Sequence, residues 1–456
     1  MDSRRLRALR RLALLAGALV LSTGVALAHG GSLRGAAPER LAVPTWLFLL
    51  TGGGAVGASF LLASVVTERG FVGAVHEWHA TLPAPRRALA WGGGLLGLTT
   101  LALVVVAGLA GPTEPLRNAA ILVVWVGWWA GFTMSAYLVG DAWPALDPWR
   151  RLAAVLPTGS GELPARVGSW PSVAALLLLV WIEVVSPVGR DPQLLALGVV
   201  GYTLVTLVGV AVVGDDWFDR VDPLARVFRT YGRVAPVQRT DDGLRLCVPG
   251  AALTSPVLDG WDEVAFVVAL LWGTTFDGLV TTPAWADAAA PLVTAGVPPH
   301  LLYALVLLAG FGLFLGVFRL AVRVSRRTAP TYLAERELAE RFALSLVPIA
   351  AGYHLAHYLG YFLALSPALA STLAAPLAPP TPTVLAVPGW VGALPIAFVL
   401  GGHLLAIWVA HSIAYAALPG RLQAVRSQYS LTLVMVFYTM TSLWVVTRPD
   451  LTPPYL

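Results

Sequence analysis

The sequence predicts an all-α fold, a polytopic transmembrane helix bundle of about ten spans that follow an N-terminal signal segment. Of the 456 residues, 57% are hydrophobic and only 12% are charged, whereas soluble globular chains carry about 25% charged residues. Mean hydropathy is +0.74, and the apolar residues form long runs between clusters of arginine. These properties exclude an ordinary soluble protein, and the single Cys247 excludes an intrachain disulfide.

Residues 1–28 have the pattern of a secretory signal. An arginine-rich start precedes the apolar stretch 12–25, which is short for a spanning helix of about 20 residues. Ala26-Leu27-Ala28 is an A-x-A cleavage site of the kind that ends such signals. We expect cleavage there, which leaves His29 as the first residue of a single transmembrane domain, 29–456. The alternative is an uncleaved signal anchor.

Ten further apolar stretches are long enough to cross a membrane as helices. Only helices and closed barrels satisfy the backbone in lipid, and the sequence has no ten-residue alternation of polar and apolar residues, so helices are predicted. The stretches lie near residues 44–66, 88–110, 118–140, 171–190, 193–213, 261–280, 300–322, 342–366, 391–417 and 429–447.

The arginines between the spans predict the orientation of the chain. The loops on one side carry nineteen arginines, the loops on the other side carry five, and the sequence has no lysine. Because arginine-rich loops stay in the cytoplasm, this bias predicts a multi-pass plasma-membrane protein with both mature termini outside. The same placement indicates topology determinants, so the predicted partner is the lipid bilayer and not a nucleic acid.

Two loops are longer than simple connections. The mixed charge of the cytoplasmic loop 214–260 predicts a short interfacial helix followed by a small strand or loop. The external loop 367–390 is rich in Pro, Ala and Leu, and we expect an irregular cap there. No clear internal repeat is evident in the sequence, so an inverted-repeat transporter has no direct support.

Ionisable residues inside spanning helices are costly, and they are therefore candidates for function. At a rise of about 1.5 Å per residue, five of the six lie in one layer, about 18–24 Å above the inner end of the bundle. The sixth lies about 12 Å deeper. In chain order, the six are Glu183, Asp277, His354, His357, His403 and the deeper His411.

The histidines of this layer predict a metal site. His354 and His357 are three residues apart and share one helix face, and His403 lies on the next span. Three nitrogen ligands with one open position form a catalytic zinc site, and imidazole also suits copper. We therefore predict a divalent transition metal, Zn or Cu, held by these three residues. Glu183 or Asp277 would act as a catalytic general base, a further ligand, or a partner of a ligand.

Two other interpretations of the same histidines remain open. His354 and His403 on facing helices could bind haem b as axial ligands. Alternatively, intramembrane histidines hydrogen-bond neighbouring helices and serve only structure. For the deeper His411, we expect an interhelical hydrogen bond or a place in a proton path.

The remaining histidines give weaker indications. An exposed N-terminal His29 offers an amine and an imidazole in one residue, which predicts a possible separate copper site outside the membrane. The alternative is a processed terminus with no ligand role. His76 and His79 lack the H-E-x-x-H spacing of zinc proteases, and an interfacial turn is expected there.

Short motifs occur along nearly the whole chain. They include Ala28-His29-Gly30, Val43-Pro44-Thr45-Trp46, Gly140-Asp141-Ala142-Trp143, Asp147-Pro148-Trp149-Arg150, Thr274-Thr275-Phe276-Asp277-Gly278, Ala356-His357-Tyr358 and Gly402-His403. Together these motifs resemble those of polytopic bacterial and archaeal membrane proteins of the fenitrothion hydrolase family. The resemblance implies a membrane-bound, metal-dependent hydrolase of organophosphorus triesters, and it covers Asp277, His357 and His403.

Three functions are compatible with the sequence. The first is a phosphotriester-type hydrolase in which a bound metal lowers the pKa of its water and a small apolar substrate enters from lipid or through the external cap. The second is a haem or copper protein of redox chemistry or metal handling. The third is a proton-coupled transporter in which the layer of acids and histidines relays protons.

Overall fold

The structure, a computed structural model, describes residues 45–83, 86–157, 159, 161, 163–240, 243–448 and 452–456. The predicted signal segment 1–28 and the possible outer ligand His29 lie outside these residues. The described chain is almost entirely helical, as the sequence predicted.

Seventeen helices are named here in chain order. They are α1 (Thr45–Val65), α2 (Arg69–Glu77), α3 (Arg86–Ala110), α4 (Ala119–Leu138), α5 (Trp143–Leu146), α6 (Pro148–Ala153), α7 (Trp170–Val185), α8 (Pro192–Val213), α9 (Pro223–Gly232), α10 (Trp261–Leu279), α11 (Pro283–Thr294), α12 (Pro299–Thr328), α13 (Glu335–Ala343), α14 (Val347–Ala374), α15 (Leu394–Ala417), α16 (Arg421–Ser427) and α17 (Tyr429–Val446).

The prediction of about ten spans is confirmed within the described residues. Eight helical stretches are long and apolar enough to cross a membrane, and two bent helix pairs raise the number to ten. Each of the ten predicted stretches corresponds to one of them. Large apolar side chains on these helices, such as Leu62, Leu95 and Leu305, point outward and are more than half exposed. An apolar outer surface of this kind suits contact with lipid, and the protein is a multi-pass membrane protein.

The two bent pairs contain breaks whose causes can be identified. Helices α1 and α2 meet at 111°, and α10 and α11 meet at 83°. At the first break, His411 Nε2 lies 2.9 Å from the carbonyl oxygen of Val66, which agrees with the predicted interhelical hydrogen bond. At the second, Thr282 caps α11 and Pro283 opens it, and proline at the first helical position starts a new helix. The free backbone groups at such breaks need these partners in an apolar environment.

Two segments of the chain share an order of caps, motifs and helices, although no clear internal repeat is evident in the sequence. Helices α4 and α8 each begin at a capping side chain, Asn118 and Asp191. Each is followed by a Gly-Asp-x-Trp sequence and then by a short helix that an Asp-Pro pair opens, at Asp147 and Asp222. Arg150, near the C-terminal end of the first segment, forms an ion pair of 3.9 Å with Asp219, near the C-terminal end of the second. Because these two ends lie together, the segments run in the same direction. One-residue differences in two of the spacings, from the cap to Gly-Asp and from Gly-Asp to Asp-Pro, obscure this pattern in the sequence.

A small antiparallel sheet joins two loops at the same end of the bundle. Its strands are β1 (His79–Leu82), β2 (Val237–Thr240) and β3 (Gly243–Cys247), in the order β1-β3-β2. His79 pairs with Cys247 across the first pair. The loop 214–260 thus contains a short helix, α9, followed by strands, as its composition indicated. His76 and His79 flank the turn that ends α2.

The predicted external cap begins later than the sequence suggested. Helix α14 continues through Pro367 and ends at Ala374, so the first eight residues of the segment 367–390 are helical. A proline in a helix interior removes one backbone hydrogen bond, but the helix continues to either side of it. The irregular part covers 375–388.

Helices α14 and α15 approach each other closely near the predicted site. A Cβ atom added to Gly402 would lie 2.4 Å from the carbonyl oxygen of Pro348, and one added to Gly352 would lie 2.6 Å from the carbonyl oxygen of Phe398. Small residues let helix backbones come together in membranes. The two glycines therefore fix the distance between the helices that carry three of the predicted histidines.

Candidate functional site

Three parallel helices bring together the two predicted acids and one predicted histidine. Glu183 lies near the end of α7, Asp277 lies near the end of α10, and His357 lies within α14. Oδ2 of Asp277 is 3.5 Å from Nε2 of His357 and accepts a hydrogen bond of 3.2 Å from the hydroxyl of Tyr358. Glu183 is close enough to Asp277 for the two carboxylates to interact electrostatically. We call Glu183, Asp277, His357 and Tyr358 the central cluster.

Aromatic side chains enclose the central cluster without sealing it. The Tyr353 ring stacks on His357 at a centroid distance of 6.2 Å, and Trp129 contacts Tyr358 edge to face. The Tyr361 hydroxyl is close enough to Glu183 to interact with it electrostatically. The His357 side chain is 24% exposed and that of Asp277 is 10% exposed. The helices therefore do not fully enclose the polar atoms of His357 and Asp277.

His354 is buried beside the central cluster but faces another partner. Its Nδ1 lies 3.0 Å from the hydroxyl of Tyr137 on α4, and its ring packs at 4.6 Å on that of Tyr358. Tyr231 of α9 contacts both Tyr137 and His354. These contacts extend the polar region from the central cluster towards the loop end of the bundle.

His403 does not join the other predicted ligands. It is completely buried, and its Nδ1 lies 2.7 Å from the carbonyl oxygen of Val399, one turn earlier in its own helix. Nδ1 of His403 is therefore engaged within its own helix, and the meeting of three imidazoles at one ion stays a prediction. His411 contacts the Val66 carbonyl oxygen at the break after α1, and His76 contacts Ser412 at 2.7 Å.

The donors in the described chain do not form a metal site. Among the described residues, no group of three or more His, Cys, Asp or Glu side chains is arranged to hold a metal ion. His354 is engaged with Tyr137, and His403 with its own helix, which leaves Glu183, Asp277 and His357 as the nearest approach to a ligand set. The predicted Zn or Cu site and its haem b alternative stay predictions.

A second pair of buried acids lies outside the spans, where the two repeated segments meet. Asp147 and Asp222 are each 1% exposed, and their charges interact. Burial raises the pKa of Asp147 to about 7, although backbone amides and Arg150 oppose the shift. Burial also raises the pKa of Asp222, against a hydrogen bond from Tyr202. Each acid caps a helix, so this pair has a structural role whatever else it does.

The sequence did not indicate four aromatic residues that complete the site. Tyr358 directly follows His357 and stands four residues after His354, so helix geometry could have placed it beside both. Trp129, Tyr137 and Tyr231 come from other elements, and no spacing rule connects them to the histidines. Trp129 lies in a wider, π-helical stretch of α4, Leu122–Phe132, a backbone form that is frequent at functional sites.

Comparison with known proteins adds no relative from which a role could be transferred. No protein-family model, no curated protein and no solved structure matches the chain.

Proposed function

We propose that the protein binds and transfers protons at the central cluster, and that it uses this centre for proton-coupled transport of a small solute across the membrane. One observation carries the proposal: acids from α7 and α10 and a histidine from α14 meet, partly accessible, inside a bundle of apolar helices. Ionisable residues inside membrane proteins mark ion pathways and proton relays.

The chemistry of the central cluster suits a shared proton. Two carboxylates that interact at close range resist carrying two negative charges together, above all in an apolar environment. A proton held between Glu183 and Asp277 relieves that repulsion. Nε2 of His357 lies 3.5 Å from Oδ2 of Asp277, so its imidazole is placed to exchange a proton with that carboxylate. The Tyr358 hydroxyl stabilises the ionised form of Asp277 by donating a hydrogen bond.

Infrared spectroscopy of the purified full-length protein tests this proposal. A protonated carboxyl has a carbonyl stretch that an ionised carboxylate lacks. Because the buried acids Asp147 and Asp222 contribute bands of their own, the spectrum of each variant is subtracted from that of the wild type. We expect the wild type to show such a band near neutral pH, Glu183→Gln to lose one component of it because Asp277 can then pair with His357 as an ion, and Asp277→Asn to shift one component. Asp287→Asn, an exposed acid on α11, is the control. A wild type without the band, or spectra unchanged by both substitutions, would contradict the proposal.

Metal-dependent hydrolysis of a phosphotriester is the second candidate function. The aromatic walls around the central cluster favour it, because aryl esters would pack against Trp129 and Tyr358. So does the resemblance of the sequence motifs to fenitrothion hydrolases. Metal content and ester turnover of the purified protein distinguish this candidate from the transporter, and an absorption spectrum reveals haem.

We infer further that the chain lies in the cell membrane with its arginine-rich loops in the cytoplasm and with both mature termini outside. The arginine bias between the two sets of loops supports this orientation. So does the sheet, because it joins residues 79–82 to residues 237–247. Both segments belong to the arginine-rich loops, and the sheet holds them at one end of the bundle.

A further inference from the structure

We propose that Tyr137 and His354 form a proton relay that connects the central cluster to the loop end of the bundle. The inference rests on the proposed function and names the path by which protons reach that centre. From the cluster outward, the Tyr358 ring packs on His354 at 4.6 Å. His354 Nδ1 then lies 3.0 Å from the Tyr137 hydroxyl, and the ring of Tyr137 contacts that of Tyr231 at 5.5 Å.

Two unpartnered polar atoms mark the ends of this relay. Among the side chains that the structure describes, Nε2 of His354 and the hydroxyl of Tyr231 are buried without a hydrogen bond of standard geometry, although the Trp129 backbone also interacts with the His354 imidazole. Buried polar atoms nearly always have partners, and exceptions often indicate a site for water or a functional role. Nε2 is the nitrogen left over once Nδ1 faces Tyr137, and Tyr231 is the residue nearest the loops. A water at each position would complete the chain of hydrogen bonds.

The outer end of the relay leads to a titratable group outside the spans. Tyr231 precedes Gly232, the last residue of α9, and a Cβ atom at Gly232 would lie 2.5 Å from Cβ of Asp141. Asp141 follows α4 and is half-buried. Burial raises its pKa, while the charges of Arg229 and Arg239 oppose the shift. A partly exposed acid outside the spans thus lies next to the relay.

The transfer conserves protons, and the doubly protonated imidazole of His354 exists only until its second proton leaves. The Tyr137 hydroxyl passes its proton to Nδ1 of His354 and receives a replacement from the Tyr231 side. The imidazole, now carrying two protons, releases the one on Nε2 towards the central cluster. One proton enters, one leaves, and rotation of the hydroxyl and the ring restores the starting arrangement. A phenylalanine at 137 cannot perform the first step, and a glutamine at 354 cannot perform the second.

The exchange of the central carboxyl proton for deuterium tests the relay. The infrared band of the full-length protein is followed after a switch to heavy water in the wild type, in Tyr137→Phe and in His354→Gln. We expect both variants to keep the band but to exchange roughly 100-fold more slowly, the size typical of losing a positioned acid or base. Tyr303→Phe is the control, because it removes a buried hydroxyl that donates to the Pro454 carbonyl oxygen and is not part of the relay.

The outcomes separate the relay from the function on which it rests. A band that persists and exchanges at the wild-type rate in Tyr137→Phe overturns the relay alone. A wild type without the band overturns the proposed function and the relay together. Slowed exchange in Tyr303→Phe as well would show a general loosening of the bundle and would also overturn the relay. Tyr137→Phe keeps the ring and its packing, so this variant remains informative even where His354→Gln fails to fold.

Discussion

The four intramembrane histidines take different roles because their nearest neighbours differ. His357 faces an acid, His354 faces a tyrosine hydroxyl, and His403 and His411 face backbone carbonyl oxygens. Imidazole can donate or accept at either nitrogen, so its partner decides its chemistry. Only His357 and His354 have side-chain partners that can exchange a proton, and both lie in or beside the central cluster.

Asp147→Asn tests the buried acid at the loop end. The pKa of Asp147 rises from 3.8 to about 7 on folding, so the folded protein binds more protons than the unfolded chain between these values. Stability from this group is therefore full below about pH 4 and is lost as the pH rises through about 7. Asparagine caps helices as well as aspartate does. We expect Asp147→Asn to have a higher melting temperature than the wild type. The difference between the two should be larger at about pH 8 than at about pH 5.

Asp191→Asn is the matched control for this comparison, because Asp191 also caps a helix before a proline but is exposed. Thermal unfolding in detergent, followed by tryptophan fluorescence at both pH values, measures the differences. If Asp147→Asn showed no larger gain at the higher pH, burial of a charge at this site would be the wrong explanation.

At the residue scale, the sequence predicted the acids of the site better than its histidines. Glu183, Asp277 and His357 share one depth, and helix rise alone predicted that. His403 shares that depth too, but depth says nothing about ring direction, which the Val399 carbonyl oxygen sets. Tyr137 could not be predicted, because an aromatic residue in an apolar span is ordinary until its partner across the bundle is known.

At the scale of elements, neighbouring glycines on α15 have opposite surroundings. Gly402 touches α14, whereas Gly401 has nothing within 4 Å of an added Cβ. We expect Gly402→Ala to lose about 1–3 kcal/mol of stability, because the helices must move apart. Gly401→Ala should be neutral or gain up to about 1 kcal/mol, because alanine favours helix. Thermal unfolding of both variants measures the two effects. Equal effects would show that the close approach of α14 and α15 is not needed for stability.

The boundaries of the elements match the predicted ones where span length and helix caps determine them. Elsewhere the observed and predicted boundaries differ. The ten apolar stretches became spans because lipid requires helices of that length. Helix α14 extends into the predicted cap because its Pro367 is tolerated inside the helix. The similarity of the segments that contain α4 and α8 becomes evident only when the positions of their helix caps, Asn118 and Asp191, are compared in the structure.

For the whole molecule, the native Cys247 reports the orientation of the bundle. It lies in β3, at the end that carries the arginine-rich loops, and it is partly accessible. We expect a small membrane-impermeant maleimide to label it in inverted vesicles or permeabilised cells but not in intact cells. Cys247→Ser should abolish the signal. Labelling of intact cells would reverse the inferred orientation, and with it the side from which protons reach Asp141.

The overall architecture could be predicted because it follows from composition and span length, which need no knowledge of packing. The central cluster could be predicted in part, since ionisable side chains inside spans have few structural reasons to exist. Its geometry could not, because which helices are neighbours, and which way each side chain turns, depend on contacts such as those between Gly352 and Phe398 that no short motif encodes.

The most direct test of the central claim is a difference spectrum between the wild type and the double variant Glu183→Gln/Asp277→Asn of the full-length protein. The subtraction is needed because Asp147 and Asp222 are also buried acids and contribute bands of their own. We expect the difference to contain a protonated-carboxyl stretch near neutral pH that exchanges in heavy water. Identical spectra in this region would mean that Glu183 and Asp277 hold no proton, and the proposed proton-transfer centre would be wrong.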